Sequence, residues 1–318
     1  MKLVVVIPAF NEEKTIATVI KAIPRDALDE VRVLVIDDGS TDATASQAEK
    51  AGADKVVSFD RNRGLAAAFK EGLEVALDMG ADIIVSIDAD GQYDSREIPN
   101  LIRPIAQGGA DLVLGSRFKG SIEDMSTGKR IGNILATKAT GLASGLSVSD
   151  AQTGFRASSR EAALRLNILS GYTYVQETII QAASKGLRIV EIPCTFRRRE
   201  GRSRLISNIF DYAKKAGLSI LRTYTGYRPL RTFLAIGATV FLIGLMIGFR
   251  VLVHYLMTGM VTPYLPSAVL TAILLIIGFQ IMILGLVADM IGNNRKIMEE
   301  ILYRLKKQAD AHRDSSEK

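Results

Sequence analysis

Residues 83–92 read Ile83-Ile84-Val85-Ser86-Ile87-Asp88-Ala89-Asp90-Gly91-Gln92. A short β-branched apolar run of this kind reads as a buried strand, and it stops abruptly at two carboxylates. The same event occurs twice upstream. Residues 3–7 run into Pro8-Ala9-Phe10-Asn11-Glu12-Glu13, and residues 31–36 run into Asp37-Asp38-Gly39-Ser40. Further strands are expected at 55–59 and at 112–114, the latter followed by Gly115-Ser116-Arg117. Helical patterns lie between them, so the first half has the alternation of a doubly wound α/β sheet. Ligands in such sheets bind beyond the carboxyl ends of the strands, which is where these polar segments fall.

Downstream, the pattern predicts a helix over 131–143, a polar segment Asp150-Ala151-Gln152-Thr153-Gly154-Phe155-Arg156, a helix over 175–184 and a strand over 188–196. Ile206, Ile209, Phe210, Ala213, Gly217 and Ile220 then recur at helical spacing with Lys214 and Lys215 off that face. That spacing suits an interfacial helix lying on a bilayer, or an amphipathic helix packed on the domain. Residues 230–255 and 268–290 are nearly unbroken apolar stretches, each longer than the roughly 20 residues that cross a membrane as a helix. A last amphipathic helix is expected over 293–308 and a disordered tail over 310–318.

Charge placement orients these stretches. Arg197, Arg198, Arg199, Arg202, Arg204, Lys214, Lys215, Arg222, Arg228 and Arg231 precede or open the first, and Arg295, Lys296, Arg304, Lys306 and Lys307 follow the second. The loop 258–266 between them has no Lys or Arg. By the positive-inside rule the two spans form a hairpin with both flanks, and both termini, on the cytoplasmic side of the cell membrane. The expected organisation is a cytosolic catalytic domain over 1–205, a juxtamembrane helix over 206–228, two transmembrane helices within 229–292, and a cytosolic helix and tail over 293–318. The N-terminus reads as a first strand, not as a cleavable signal.

In 318 residues with 48% hydrophobic content there is material for one ordinary domain and an appendage. The net charge of +6 is modest, and its clusters flank apolar spans without interleaved stacking aromatics, which favours anionic headgroups over nucleic acid as partner. The single cysteine, Cys194, excludes an internal disulfide and reads as a buried structural thiol. Two histidines, His254 in a span and His312 in the tail, exclude a histidine-based triad or zinc site in the domain.

Carboxylates two residues apart at a strand end can converge on one hard cation, so Asp88 and Asp90 are candidate ligands for Mg²⁺ or Mn²⁺. Such an ion neutralises charge that builds on a departing nucleoside diphosphate. Asn11, Glu12 and Asp38 offer acceptors for a base and ribose. A dinucleotide-binding G-x-G-x-x-G after the first strand is absent, as is a Walker P-loop.

Seven stretches, IPAFNEE (7–13), VIDDGSTD (35–42), NRGLAAA (62–68), DADGQY (88–93), GSRF (115–118), TGFRA (153–157) and EIPCTF followed by RRREGRSRL (191–205), carry a resemblance. In that order the chain resembles the family 2 glycosyltransferases with the GT-A fold, of the dolichyl- or polyprenyl-phosphate hexose synthase type. The resemblance implies a donor site formed by Pro8, Ala9, Phe10, Asn11, Glu12, Ile36, Asp38, Gly64, Asp88, Ala89, Asp90, Gln92, Arg117 and Arg130. It adds Gln92 to Asp88 and Asp90 around the metal, and sets Arg117 near the diphosphate with Arg130 as a second basic contact. It places Arg199, Ser203 and Arg204 where donor and acceptor phosphates meet, although Arg202 blurs which arginine is equivalent.

The implied reaction is inverting transfer of a hexose from a nucleotide sugar, with UDP-glucose and GDP-mannose as leading donors and UDP-N-acetylglucosamine open, to a polyprenyl phosphate. A lipid phosphate is already anionic, so holding two phosphates together matters more than a strong base. Asp150 and Glu177 are candidates either for orienting the acceptor or a sugar hydroxyl, or for a structural hydrogen bond. Two rival readings keep part of this picture. A polysaccharide synthase with a sugar-hydroxyl acceptor would carry a Q-x-x-R-W motif, and the chain has no tryptophan. A non-catalytic nucleotide-sugar sensor leaves the acidic and arginine motifs unexplained. Self-association is a further expectation. Arg250, inside the first span, has three available partners: the interface by snorkelling, Asp289, or a lipid phosphate.

Overall fold

The computed structural model describes residues 1–123, 125–168, 174–198 and 229–316. The chain divides into two compact units, one of residues 1–223 with 302–318 and one of residues 224–301.

The first unit is built on seven strands: β1 (Lys2–Ala9), β2 (Glu30–Asp37), β3 (Lys55–Ser58), β4 (Ile83–Ser86), β5 (Leu112–Ile122), β6 (Arg156–Ser159) and β7 (Ile189–Phe196). Their order in the sheet is β3-β2-β1-β4-β6-β5-β7. All neighbours are parallel except β6, which runs antiparallel to both β4 and β5. The chain travels outward from β1 through β2 to β3, then returns so that β4 pairs with the other side of β1. That reversal is a topological switch point, and it opens a crevice beyond the carboxyl ends of β1 and β4.

Alternation along β1 divides its side chains between two cores. Leu3, Val5 and Ile7 join Ile16, Val19 and Ile20 of α1 (Ile16–Lys21), Ala48 of α2 (Thr44–Lys50), and Ile98, Leu101 and Ile102 of α4 (Ile98–Ala106). Val4 and Val6 join Ala66, Phe69 and Leu73 of α3 (Leu65–Asp78) and Ala163 and Leu164 of α6 (Arg160–Arg165). Burial on both faces is why β1, β2 and β4 are continuous apolar runs. Two helices complete the layer around the site: α5 (Thr127–Ser144) and α7 (Val175–Ser184).

Several expectations shift in detail. β5 extends to Ile122, well past 114, because after an irregularity it regains β7 at Ser121 and Ile122. β6 was not foreseen. Its four residues, Arg-Ala-Ser-Ser, carry no apolar run, yet they fill the gap between β4 and β5. Cys194 is buried, as a structural thiol should be, and burial pushes its thiol up to about 12. The expected interfacial helix at 206–220 lies outside the described residues.

The second unit holds α8 (Pro229–Thr258) and most of α9 (Leu265–Ser316). Both are long and apolar enough to cross a membrane, and most of their apolar side chains are exposed, unlike those of a soluble core helix. They pack closely at Gly237 and Gly278: a Cβ on Gly278 would sit 2.7 Å from the Phe241 amide nitrogen, so only a hydrogen fits. Arg250 does not reach Asp289. Its Nη2 lies 3.4 Å from the Tyr264 hydroxyl, with the guanidinium over that ring, while Asp289 accepts from Asn293. The second span and the expected last helix are one continuous element, and helix persists to Ser316 through the stretch read as a disordered tail. Within the first unit, Tyr303 of α9 is buried in the α3/α6 core, and its hydroxyl reaches both Glu161 carboxylate oxygens at 2.8 and 3.0 Å.

Candidate functional site

The carboxyl ends of β1, β2 and β4 deliver three polar segments to the crevice. After β1, Asn11 takes a positive φ of 55°, a conformation Asn tolerates. Its amide donates to Ser40 Oγ (2.8 Å) and its Oδ1 accepts from the Thr41 amide (2.8 Å), while the Glu12 amide donates to Thr44 Oγ1 (2.8 Å). The segment following β1 is thereby tied to the one following β2. Pro8 and Ala9 end β1 in the sheet, with Phe10 next at the rim.

Asp38 is engaged inside the protein. Its two carboxylate oxygens accept from the amides of Arg63 (2.7 Å) and Gly64 (2.9 Å). Burial raises its carboxyl above the usual range, and those two amides pull it partly back. Asp38 therefore shapes the loop into α3, and Gly64 sits at the head of that helix. Ile36 is fully buried in the α3-side core, so its side chain belongs to the packing and not to the crevice.

Beyond β4, Asp88 and Asp90 are partly exposed with Ala89 buried between them. The Gln92 amide donates to Asp90 Oδ1 (3.1 Å), and Gln92 Nε2 donates to the Arg197 carbonyl (3.2 Å). Gly154 lies against Asp88: a Cβ there would be 2.6 Å from both carboxylate oxygens. The glycine of Thr-Gly-Phe is what leaves room for the Asp88 carboxylate. The donor set is hard oxygen, which fits Mg²⁺ or Mn²⁺. Among the described residues no three carboxylate, His or Cys side chains gather to hold an ion. A cation on Asp88 and Asp90 would therefore complete its coordination with phosphate oxygens and water, the habit of Mg²⁺ at nucleotide sites.

Arg117, expected near a diphosphate, is bound to Asp150. Its Nε and Nη2 grip Asp150 Oδ2 and Oδ1 at 2.6 and 2.8 Å, and its amide also donates to Oδ2 at 3.1 Å. Asp150 is fully buried and Arg117 only 7% exposed. This bidentate pair is a structural lock between β5 and the 150–154 segment. Glu191 of β7 fixes the same turn by accepting from the Ser149 and Asp150 amides at 2.7 and 3.1 Å. Asp150 makes the structural hydrogen bonds that were one of its two expected roles. Glu177 is buried on α7 and accepts from Gln181 Nε2 at 3.1 Å.

Arg130 lies exposed in the first turn of α5. Arg199, Ser203 and Arg204 lie outside the described residues, but the approach to them is fixed. Arg197 forms an ion pair with Asp94, and its amide donates to the Gln92 carbonyl at 2.7 Å. Arg197 thus lies beside the acidic motif.

Residues that sequence reasoning left out complete the wall. Arg156 is buried, and its guanidinium bonds the carbonyls of Thr153 and Val175, joining the 153–156 segment to the start of α7. The hydroxyl of Tyr93 accepts from the Gly154 amide at 3.2 Å. Tyr174 stacks on Phe69 with centroids 3.6 Å apart, and burial together with the charge of Asp88 pushes its phenol up to about 12. Arg156 stood in a quoted motif, but nothing local in sequence marks its partners.

Comparisons with known proteins identify the family to which this strand-end crevice belongs. The family model for glycosyl transferase family 2 matches residues 4–166. A UDP-N-acetylglucosamine–dolichyl-phosphate N-acetylglucosaminyltransferase of Methanococcus voltae is 33% identical over 212 residues, covering 59% of this chain and 82% of that one. An undecaprenyl-phosphate mannosyltransferase of Micrococcus luteus is 30% identical over 220 residues, covering 66% of this chain and 89% of its own. Among solved structures, glucosyl-3-phosphoglycerate synthase of Mycobacterium tuberculosis in complex with Mn²⁺, UDP and its product aligns with a TM-score of 0.56 at 26% identity, over 71% of this chain and 80% of that one. The match reaches from β1 to α6 and takes in Asp88, Asp90 and the strand ends that flank them, and the chain belongs to glycosyl transferase family 2 and is a glycosyltransferase.

Proposed function

We propose that the protein is a membrane-anchored, metal-dependent hexosyltransferase that moves a sugar from a nucleotide donor to a polyprenyl (dolichyl-type) phosphate. The observation that carries the reading is the fit of Asp88 under Gly154 beside Asp90, a preorganised hard-oxygen pair at the switch point of the sheet. The two relatives named for lipid-phosphate acceptors support the acceptor class, and the Mn²⁺ and UDP in the aligned structure support the donor class. Because those relatives' names point to two different sugars, UDP-linked and GDP-linked hexoses are both candidate donors.

In this reading Asp88 and Asp90 hold Mg²⁺ or Mn²⁺ with Gln92 at the edge of the site, and the ion supplies charge neutralisation for the nucleoside diphosphate. The segments at 8–12 and 36–40 flank the base and ribose, and Asp38 acts there by holding the 63–64 loop. An oxygen of the lipid phosphate attacks the anomeric carbon, the bond from that carbon to the diphosphate oxygen breaks, and configuration inverts. No proton need leave the nucleophile. Arg130, Arg199, Ser203 and Arg204 are assigned to the two phosphate groups that must approach each other, where charge-assisted contacts are strongest. Arg117 and Asp150 act as positioning residues. We assign residues 1–205 to the catalytic domain and 229–292 to a two-span hairpin, joined by the juxtamembrane segment 206–228. Residues 293–318 lie, like the domain, on the cytoplasmic face of the cell membrane.

A panel of radiolabelled UDP- and GDP-hexoses, incubated with dolichyl and undecaprenyl phosphate, tests the reading. One donor should give label in the organic-extractable lipid. Label found only in water-soluble or polymeric product contradicts it.

A further inference from the structure

Among the described residues of the first unit, large hydrophobic side chains are almost all covered. Among the described residues the strongly exposed ones are Met1 at the terminus, Leu302 and Leu305 of α9, and a set on or just beyond α5. That set is Ile131 (54% exposed), Ile134, Leu135 (62%), Leu142 (83%) and Leu146. At 100° per residue, Ile131, Ile134, Leu135 and Leu142 share one face of α5, with Lys138 in its middle. The opposite face is small and buried: Thr137, Thr140, Ala143 and Ser144. Thr137 Oγ1 there accepts from the Ala151 amide at 3.0 Å, and α5 packs on α7.

We propose that the outer face of α5 is a bilayer-contact surface, seated in the headgroup region of an anionic leaflet, while its inner face holds the segment carrying Asp150. Charge selects this occupant. α5 carries Lys129, Arg130 and Lys138, all exposed, and contains no Asp or Glu. An apolar stripe with Lys138 at its centre and no acidic residue on its helix matches an anionic phospholipid surface, where the lysine extends its ammonium to the phosphates. The same chain carries two helices able to cross a membrane, so such a surface is always at hand. Exposed apolar patches of this kind otherwise mark protein contacts, and a second copy of the chain is the occupant to be distinguished.

The inference rests on the membrane-enzyme reading above, so its test is read without turnover. The full-length chain bearing Leu142→Cys, in phosphatidylcholine–phosphatidylglycerol nanodiscs, is labelled with an environment-sensitive fluorophore; buried Cys194 reacts slowly. Glu49→Cys on α2, exposed in the structure, is the control. The label at 142 should be blue-shifted and quenched by doxyl-labelled lipid, and the label at 49 should be neither. A label at 142 that stays in water overturns the proposal, as does one shielded by cross-linking to a second copy without lipid quenching. Lys138→Glu with Leu135→Glu, both on the surface and made in the labelled Leu142→Cys chain, should abolish the quenching. Unchanged quenching in that variant also overturns it. If quenching is found but no prenyl acceptor is used, the surface stands and the acceptor assignment falls.

Discussion

Gln92 and Arg197 are hydrogen-bonded in both directions: the Arg197 amide donates to the Gln92 carbonyl at 2.7 Å, and Gln92 Nε2 donates back to the Arg197 carbonyl at 3.2 Å. The link joins the acidic motif beyond β4 to the start of the Arg-rich segment beyond β7, across 105 positions of sequence. Two residues that the chain separates widely are thereby held together. Gln92→Ala removes the side-chain half of the link and keeps the backbone half. It should reduce kcat/KM about tenfold, the worth of one hydrogen bond of ~1.4 kcal/mol, without changing the melting temperature by more than a few degrees. Steady-state kinetics and a thermal melt check both parts.

Gly154→Ala tests the fit of Asp88. A methyl 2.6 Å from both carboxylate oxygens must displace them, since nothing else at that point can move as easily. Turnover should fall by about a hundredfold or more, a loss of ~2.7 kcal/mol in barrier. The metal concentration for half-maximal activity should rise while circular dichroism is unchanged.

Asp150→Asn tests the buried Arg117–Asp150 pair. It leaves Arg117 charged and buried without its counter-ion, which costs about 3–5 kcal/mol of stability. Replacing both residues, as Arg117→Met with Asp150→Leu, should recover much of that loss. Denaturant unfolding measures it; full stability in the single variant would remove the lock assigned to this pair.

Acid should weaken the first unit through particular carboxylates. Asp94 is held below the usual range by Arg96 and Arg197, and Asp111 by Arg188, each net of an opposing effect of burial. A depressed folded value stabilises the native state above the unfolded value of about 4, and that contribution is lost as pH falls through the folded value. The melting temperature should therefore drop below about pH 4. Asp111→Asn should be slightly less stable than the parent at pH 7, a small difference for so exposed an arginine partner, and the two should converge near pH 2.

How much of this was legible in the sequence follows from how each feature is encoded. β1, β2 and β4 are buried on both faces, so their residues spell continuous apolar runs, and the carboxylates after β4 announce themselves by breaking one. β6 is equally central but polar, since Arg156 turns its guanidinium to the carbonyls of Thr153 and Val175 and not to an apolar layer. The Arg117–Asp150 lock joins residues 33 apart, and no local pattern records such a partner. Hydropathy divides α9 at the end of its apolar stretch, but a helix needs only its backbone bonds to continue. Pairs such as Arg295–Glu299 carry it onward. The outward face of α5 is not encoded locally either: an apolar stripe at helical spacing ordinarily faces a core, and only the fold shows that the small residues turn inward.

The most direct test of the central claim is transfer of labelled hexose from its nucleotide donor into extractable prenyl-phosphate lipid by the purified chain, compared among added Mn²⁺, added chelator, and the Asp90→Ala variant. The account predicts label in the lipid with Mn²⁺ and a fall of at least about a hundredfold with chelator or in the variant. Equal labelling in all three would contradict it.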